Sequence, residues 1–246
     1  MESLKLTENV YWLGVQDHEL EVFDVVMETK YGTSYNSYFV RGEEKVALFD
    51  TVKAPYFEDY LQKIEKLVSI EDIDYIIVHH TEPDHAGSIE KLIKLNPNIT
   101  VIASAVAIRY LRNIVNIDFK SQAVKMNDTL DLGGRTLQFI SAPNLHWPDT
   151  IYSYLVEDEI LFTCDSFGSH YAFDDVLMSK LPETKNEDYM DALLNYYNPI
   201  FAPFKTYVLK AIASLSRLSI KMICPGHGPV LDTRIEEIIG IYSFAA

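Results

Sequence analysis

The sequence predicts an α/β fold in which strands and helices alternate in packed layers. Short runs of β-branched and aromatic residues alternate with segments whose apolar residues recur at helical spacing. Side chains that can bind a metal directly follow several of the predicted strands. The 246 residues contain no internal repeat and no Gly/Ser-rich linker, so we expect one domain over residues 1–246.

The first half of the chain is expected to be rich in strands. Four segments contain many β-branched and aromatic residues and are predicted strands: residues 10–14, 20–28, 38–41 and 45–50. Residues 56–68 carry their apolar side chains on one helical face and are predicted to form a helix. A buried strand over residues 75–78 and a helix over residues 87–95 should follow.

The second half adds further strands before a long helical region. Four more segments are predicted strands: residues 100–103, 135–141, 151–156 and 160–163. Residues 187–218 are mostly helical in pattern, with a break near Pro199 and Pro203, because proline lacks the amide hydrogen that a helix interior needs. A short strand over residues 222–224 and a helix near residues 234–242 should follow.

Charge and composition narrow the class of protein. The net charge of -15 argues against nucleic acid, whose phosphates need lysine and arginine partners, and against anionic membrane surfaces. No apolar run has the form of a secretion signal or approaches the roughly 20 residues of a membrane span. We therefore expect a cytoplasmic protein in which Cys164 and Cys224 are small, unpaired core residues.

The segment HHTEPDHAGS, residues 79–88, carries the strongest functional signal. It places four side chains that can bind a metal just after the predicted strand 75–78: His80, Glu82, Asp84 and His85. His79 should point to the opposite face if the strand continues, and His18 lies in an acidic segment. Neither His79 nor His18 is therefore expected to bind metal.

Three further candidate ligands follow other predicted strands, namely His146, Asp165 and His227. Loops at one edge of a sheet commonly hold a site on a rigid scaffold, so we expect these residues to join the first four. Seven ligands are too many for one ion but suit two ions that share a carboxylate. Four imidazoles and three carboxylates without a thiolate leave zinc, iron and manganese open, with a modest preference for iron or manganese.

These motifs resemble those of the metallo-β-lactamase superfamily, whose metal sites carry the pattern histidine, any, acid or histidine, any, Asp-His. Glu82 stands where the hydrolases usually have histidine, and this makes the chain similar to the diiron domain of flavodiiron proteins, which are oxygen and nitric oxide reductases. The resemblance covers nearly the whole chain, through WLGV, TSYNSY, LFDTVK, HHTEPDHAGS, LHWPD, LFTCDSFGSH and CPGHGP. It implies the αββα sandwich of that superfamily, with the site at one edge of two stacked sheets.

The resemblance also implies a role for each candidate ligand. One iron would be bound by His80, Glu82 and His146, and the other by Asp84, His85 and His227. Asp165 would bridge the two iron ions, together with an oxo, hydroxo or oxygen-derived ligand. His170 and either Tyr196 or Tyr197 would lie near the substrate pocket. A structural hydrogen bond explains His170 equally well, and core packing explains either tyrosine.

Two differences from flavodiiron proteins limit what the resemblance implies. Those proteins continue into a flavodoxin-like domain that binds FMN, whereas this sequence stops at Ala246, so we expect no FMN site in it. An early Phe-His-Gly-Tyr segment of the family is replaced here by FDVV from Phe23, which puts Asp24 in place of a pocket histidine. The substrate preference is therefore left open.

The resemblance implies a non-haem diiron protein that binds dioxygen. It could act as a sensor or carrier, or it could reduce dioxygen or nitric oxide if a separate flavoprotein or rubredoxin supplied electrons. A signalling partner and a homodimer are both compatible with the sequence. The alternative is a dinuclear zinc hydrolase of the thioesterase or lactonase type, in which a metal-bound hydroxide attacks a carbonyl. Glu82 counts against that alternative.

Overall fold

The computed structural model describes residues 2–24 and 26–245. Met1 and Ala246 of the predicted domain, and Val25 of the predicted strand 20–28, lie outside the described residues. The strands are β1 (Leu4–Lys5), β2 (Val10–Trp12), β3 (Val15–Asp17), β4 (Val22–Phe23), β5 (Met27–Glu28), β6 (Thr33–Tyr35), β7 (Tyr38–Arg41), β8 (Val46–Phe49), β9 (Tyr75–Val78), β10 (Thr100–Ser104), β11 (Lys120–Val124), β12 (Thr129–Asp131), β13 (Thr136–Ser141), β14 (Ile151–Leu155), β15 (Ile160–Cys164) and β16 (Met222–Pro225). The α-helices are α1 (Phe57–Glu65), α2 (Pro83–Ala86), α3 (Ile89–Leu95), α4 (Ala105–Ile114), α5 (Asn186–Ile200), α6 (Lys205–Leu215) and α7 (Ile235–Ala245).

Most strands belong to two mixed sheets. The first sheet has the order β1-β2-β7-β8-β9-β10-β11, with antiparallel pairing from β1 to β8 and parallel pairing from β8 to β11. The second sheet has the order β12-β13-β14-β15-β16 and is antiparallel except for the pair of β15 and β16. Two small antiparallel pairs, β3 with β6 and β4 with β5, lie outside these two sheets.

Three apolar cores separate four layers of secondary structure. On β9, Ile76 and Val78 join the core beneath α1, α3 and α4, whereas Ile77 faces the core between the two sheets. Successive residues of a strand point to opposite faces, so a strand covered on both sides needs a continuous apolar run. The second sheet packs its other face against α5, α6 and α7. The layers therefore have the αββα order that the resemblance implied.

The prediction of one strand over residues 20–28 was wrong. Strands β4 and β5 form a short hairpin in which Val22 pairs with Glu28 and Phe23 pairs with Met27. Asp24 has a φ of 47°, a left-handed conformation that is used in tight turns and that a continuous strand does not contain. The chain therefore reverses direction within the segment that the β-branched pattern marked as extended.

Helix α4 was missed, although its sequence carries both a cap and a helical pattern. The Ser104 hydroxyl accepts a hydrogen bond from the Ala107 amide at 3.0 Å, as a helix N-cap does. Ala107, Ile108 and Leu111 are buried on one face. Edge strand β11 was also missed because most of its residues are polar and exposed.

The long helical region breaks where its prolines predicted. Helix α5 ends at Ile200, one 3₁₀ turn covers Ala202–Phe204, and α6 begins at Lys205. None of the helices in the described part of the chain combines the length and apolar character that a membrane span requires. Cys164 and Cys224 are buried and free, as expected for core residues.

Phe49 and Phe162 pack against each other between the two sheets, with ring centroids 4.2 Å apart and ring planes inclined by 31°. We expect Phe162→Ala to lower the free energy of unfolding by about 3–5 kcal/mol, because it leaves a cavity in the middle core. Leu194→Ala is the control, since Leu194 is 39% exposed on α5 and should cost less than about 1 kcal/mol. Denaturant unfolding of both variants measures the difference, and equal losses would contradict this account of the core.

Candidate metal centre

The candidate ligands converge at one edge of the two sheets. His80 lies two residues after β9, and α2 presents Asp84 and His85. From the second sheet, the loop after β13 carries His146, and residues just past β15 and β16 provide Asp165 and His227. The structure therefore brings together all seven side chains that the sequence singled out.

The first ligand group is centred on the Glu82 carboxylate. Its Oε2 atom lies 3.0 Å from Nε2 of His80 and 3.1 Å from Nε2 of His146. Ligand atoms of these three residues and of Asp165 all lie within 4.8 Å of one another. This spacing matches a set of side chains that surround one ion.

The second ligand group is centred on Asp84. Its Oδ2 atom lies 3.0 Å from Nε2 of His227 and 3.2 Å from Nε2 of His85. Ligand atoms of the three residues again lie within 4.8 Å of one another. Gly226 permits this approach, because a Cβ at that position would lie 2.7 Å from Cε1 of His85.

Asp165 lies between the two groups and presents one carboxylate oxygen to each. Oδ1 lies 2.8 Å from Nε2 of His85 and 3.5 Å from Nε2 of His227. Oδ2 lies 3.4 Å from Nε2 of His146 and 3.6 Å from Nε2 of His80. A carboxylate in this position can be shared by two ions, which is the arrangement of two-metal sites.

In two histidines, the hydrogen-bond partner of Nδ1 shows that Nε2 is the nitrogen that faces the cluster. Nδ1 of His227 lies 2.6 Å from the carbonyl oxygen of Ser34, which can only accept, so Nδ1 carries the hydrogen. Nδ1 of His80 lies 3.2 Å from Oδ1 of Asp149. Both Nε2 lone pairs are then directed into the cluster, as in protein metal sites that orient histidine through an outer partner.

Asp149 is a site residue that the sequence analysis missed. Its second oxygen accepts hydrogen bonds from the amide and the hydroxyl of Thr81, at 2.8 and 2.7 Å. One buried carboxylate thus holds both the ring of His80 and the backbone beside it. The only signal was a carboxylate in LHWPD, three residues after a candidate ligand.

The burial of the carboxylates, and not only the spacing of the ligands, indicates a metal site. Both carboxylate oxygens of Asp84, and Oδ2 of Asp165, are buried without a hydrogen-bond partner among the described residues. Burying an ionised carboxylate is costly unless it is paired or binds a metal. Two divalent ions within the two groups would satisfy these oxygens and the Nε2 lone pairs together.

Without metal, the cluster holds protons instead. Burial disfavours the charged forms of His80, His85 and His146, but the neighbouring carboxylates outweigh burial and raise the pKa of each histidine to about 10. Burial opposes ionisation of Asp165 as well, yet the positive charges of the neighbouring histidines, above all His85, hold its pKa well below the usual range. Three imidazolium charges can thus offset the three carboxylates of the cluster.

A cavity of about 150 Å³ lies over both ligand groups. Its walls combine ligand side chains with apolar residues of the β4–β5 hairpin and of α5: Phe23, Val26, Met27, Tyr196 and Ile200. Tyr197, by contrast, packs in the core with its ring 4.8 Å from Tyr242. Of the two adjacent tyrosines, the structure therefore places Tyr196 at the cavity.

His170 lies behind His227 rather than on the cavity wall. Its Nδ1 is 2.8 Å from the Thr33 hydroxyl, and its ring centroid is 5.0 Å from that of His227 and 4.7 Å from that of Tyr196. Burial and the charge of His227 hold the pKa of His170 well below its ordinary value. His170 therefore packs against His227, and the ring of His170 is neutral.

Asp24 lines the cavity from the hairpin turn, as Glu82 does from the loop before α2. Burial, a hydrogen bond with Glu82 and the negative charges of Glu82 and Asp84 raise the pKa of Asp24 to about 7. The chain thus places a carboxyl group that can hold a proton where the resemblance implied a histidine.

The other histidines and Trp147 also have defined positions. His18 is exposed, as the sequence predicted, and His79 is fully buried and lies outside both ligand groups. The ring of Trp147 stands edge-on to His80, with centroids 4.9 Å apart, and covers this ligand on its outer side.

Comparison with known proteins agrees with this arrangement. A family model described as ODP family beta lactamase matches residues 33–228. The chain belongs to this family. That range includes all seven candidate ligands of the ODP-family domain.

Its relatives are flavodiiron proteins. The chain is 43% identical over 235 residues to flavo-diiron protein FprA2 of Clostridium acetobutylicum, a match that covers 94% of this chain. Two solved structures are similar over 99% of it: the flavodiiron protein from Giardia intestinalis, with a TM-score of 0.91 and 30% identity, and rubredoxin oxygen:oxidoreductase from Desulfovibrio gigas, with 0.93 and 29%. The expected resemblance and the metallo-β-lactamase-like fold are confirmed.

The ODP-family chain corresponds to part of each of these relatives. It spans 58% of the Clostridium and Giardia proteins and 61% of the Desulfovibrio protein. What the complete relatives bind and reduce therefore bears on this chain only as a proposal.

The bonds of Asp149 lead to the first prediction for the site. All three of its partners donate hydrogen bonds, so an asparagine amide group in its place would present a donor to at least one other donor. We expect Asp149→Asn to weaken binding of divalent metal roughly 10–100-fold. The control is Asp118→Asn, an exposed aspartate on the surface. Metal titration should show no change for the control, and wild-type affinity in Asp149→Asn would reject the orienting role.

The raised histidine pKa values lead to a second prediction. Below pH 10 the imidazoles of His80, His85 and His146 hold protons that metal must displace. Affinity for divalent ions should therefore rise as pH increases from 6 towards 9, and loading at neutral pH should release protons. Calorimetry in two buffers with different ionisation enthalpies measures this release. A binding heat that is the same in both buffers would contradict the prediction.

Proposed function

We propose that this chain holds two iron ions and binds dioxygen or nitric oxide at them. The proposal rests on one observation: two ligand groups are joined by Asp165 beneath a cavity of about 150 Å³. His80, Glu82 and His146 would hold one ion, and Asp84, His85 and His227 the other. Binding of dioxygen is the first function that this site supports, and reduction of dioxygen or nitric oxide is the second.

The cavity suits a small, neutral molecule. It has only about 150 Å³, whereas sites for larger organic ligands commonly measure about 300–1,000 Å³. Phe23, Met27 and Ile200 give it apolar walls, which favour a nonpolar gas over water. An ester or lactone substrate would need more room, and this counts against the zinc hydrolase alternative.

When bound, the two iron ions would supply electrons and a binding position for the gas. The chain itself provides the surroundings: Asp165 holds the two ligand groups at one spacing, and Trp147 covers His80. Asp24 can hold a proton on the carboxyl group that it turns towards Glu82. Tyr196 closes the side of the cavity next to His227.

Reduction needs an external source of electrons in this proposal. Two ferrous ions supply two electrons in going to the ferric state, and full reduction of dioxygen to water takes four. A flavoprotein or rubredoxin partner would provide the remainder, and the Desulfovibrio relative is named for rubredoxin. A protein that binds oxygen without such a donor would serve as a sensor or carrier for a signalling partner.

Anaerobic loading with ferrous iron tests the proposal. We expect about two irons per chain and a new near-ultraviolet or visible charge-transfer band when oxygen is added. Oxygen consumption after addition of a reduced flavoprotein would distinguish a reductase from a binder. Two zinc ions with ester or lactone hydrolysis, and no reaction of the iron form with oxygen, would establish the hydrolase instead.

A substitution of Asp165 tests its bridging position directly. We expect Asp165→Ala to hold fewer than two irons, because it removes the carboxylate oxygens that both groups share. Asp118→Asn again serves as the surface control. Metal analysis and the oxygen-induced spectrum are compared for both variants. An Asp165→Ala protein with two irons and an unchanged spectrum would reject the bridge.

A further inference from the structure

His79, which belongs to neither ligand group, is fixed at every polar atom. Its amide donates to Oδ1 of Asp50 at 2.8 Å, and its Nδ1–H donates to Oδ2 of the same carboxylate at 2.7 Å. Since Nδ1 carries the hydrogen, Nε2 accepts from the hydroxyl of Ser153, also at 2.7 Å. His79 and Ser153 are completely buried, and Asp50 is almost so.

These bonds join the two sheets. Asp50 and His79 follow β8 and β9 of the first sheet, whereas Ser153 belongs to β14 of the second. The Ile151 amide of β14 also donates to the carbonyl oxygen of His79 at 3.1 Å. The second sheet therefore holds His79 by a side-chain bond and a backbone bond, one residue before the candidate ligand His80.

Each ligand group takes side chains from both sheets, and this makes the distance between the sheets important. In the first group, His80 and Glu82 come from the first sheet and His146 from the second. In the second group, Asp84 and His85 face His227 in the same way. Metal ligands must hold their positions to within roughly 0.5 Å, so a small separation of the sheets at this edge would disturb both groups.

The order Asp50, His79, Ser153 resembles a hydrolytic triad, but its burial gives it a different use. A nucleophilic serine must reach a substrate carbonyl, and Ser153 has no exposed surface. The Phe49 and Phe162 rings lie 6.0 and 6.5 Å from the His79 ring and enclose it in the middle core. The three residues therefore form a fixed cross-link rather than a reactive group.

We infer that His79 is a positioning residue, which ties the two sheets through Asp50 and Ser153 and so sets the spacing at which the metal ligands meet. This inference rests on the proposed metal-binding function. It assigns a function to a histidine that takes no part in either ligand group.

Removal of the Ser153 hydroxyl tests the tie without changing His79. We expect Ser153→Ala to bind cobalt(II), used as a spectroscopic probe, roughly tenfold more weakly and with an altered visible spectrum. Tyr152→Phe is the matched control: it removes a fully buried hydroxyl, bonded to Ser166 at 2.6 Å, from the adjacent position on β14. Both variants should lose stability, but only Ser153→Ala should lose cobalt affinity.

Two substitutions of His79 separate its two partners. In His79→Asn the amide can still donate to Asp50 but does not reach Ser153, whereas in His79→Gln the longer side chain reaches Ser153 and gives up the Asp50 bond. Each should recover part of the cobalt affinity that His79→Ala loses. Equal cobalt affinity and spectra in wild type, Ser153→Ala and Tyr152→Phe would overturn the inference.

Amide hydrogen exchange in the metal-free protein keeps the two proposals distinguishable. We expect exchange to become faster in residues 79–85 in Ser153→Ala and to stay unchanged there in Tyr152→Phe. A wild-type protein that binds no pair of metal ions would overturn the proposed function, while this exchange result would still judge the tie. Unchanged exchange in Ser153→Ala would overturn the tie itself.

Discussion

The need to balance buried negative charge governs this structure. Glu82, Asp84 and Asp165 bring three carboxylates to one edge of the sandwich, where water is largely excluded. Isolated buried carboxylates are among the most costly groups a protein can contain. Four imidazoles point to the same place, and their nitrogens can either bind cations or hold protons. The same set of side chains is therefore stable only when metal ions, or protons on the imidazoles, neutralise the carboxylates.

The αββα layers hold the carboxylates and imidazoles of this cluster in position. Neither sheet carries a complete ligand group, so the middle core must fix one sheet against the other before the ligands can meet. Phe49 and Phe162 provide apolar contact in that core. Hydrogen bonds at the edge of the core hold the loops that carry the candidate ligands. Asp149 and Ser34 then set the ring orientation of individual histidines. Packing sets the distance between the two halves, and hydrogen bonds set the direction of each ligand.

The sequence singled out the candidate ligands because each of them lies close behind an apolar strand. His80, His85 and the acids between them follow an apolar strand within one short segment, and the other ligands also follow apolar strands. Asp149 was not predicted as a site residue because its function depends on a contact with His80, which lies 69 positions earlier in the chain. Tyr196 and Tyr197 could not be distinguished either, since both are buried on α5. Only their contacts in the fold separate them, because Tyr197 packs against Tyr242 whereas Tyr196 lines the cavity. The strand predicted across the β4–β5 hairpin failed because β-branched residues flank a turn in which Asp24 adopts a left-handed conformation.

The net charge of the whole chain disfavours the approach of anions but not of neutral molecules. With 36 acidic and 21 basic residues, the protein repels anions, and electrostatic steering would slow the approach of a negatively charged acyl compound. Dioxygen and nitric oxide carry no charge, so their approach is unaffected by this field. Inside, apolar residues share the cavity wall with Glu82, His146, Asp165 and His227, whose charges are paired with one another. A small uncharged molecule can therefore reach the ligands without an electrostatic penalty, which an ionised substrate would meet both at the surface and at the cavity wall.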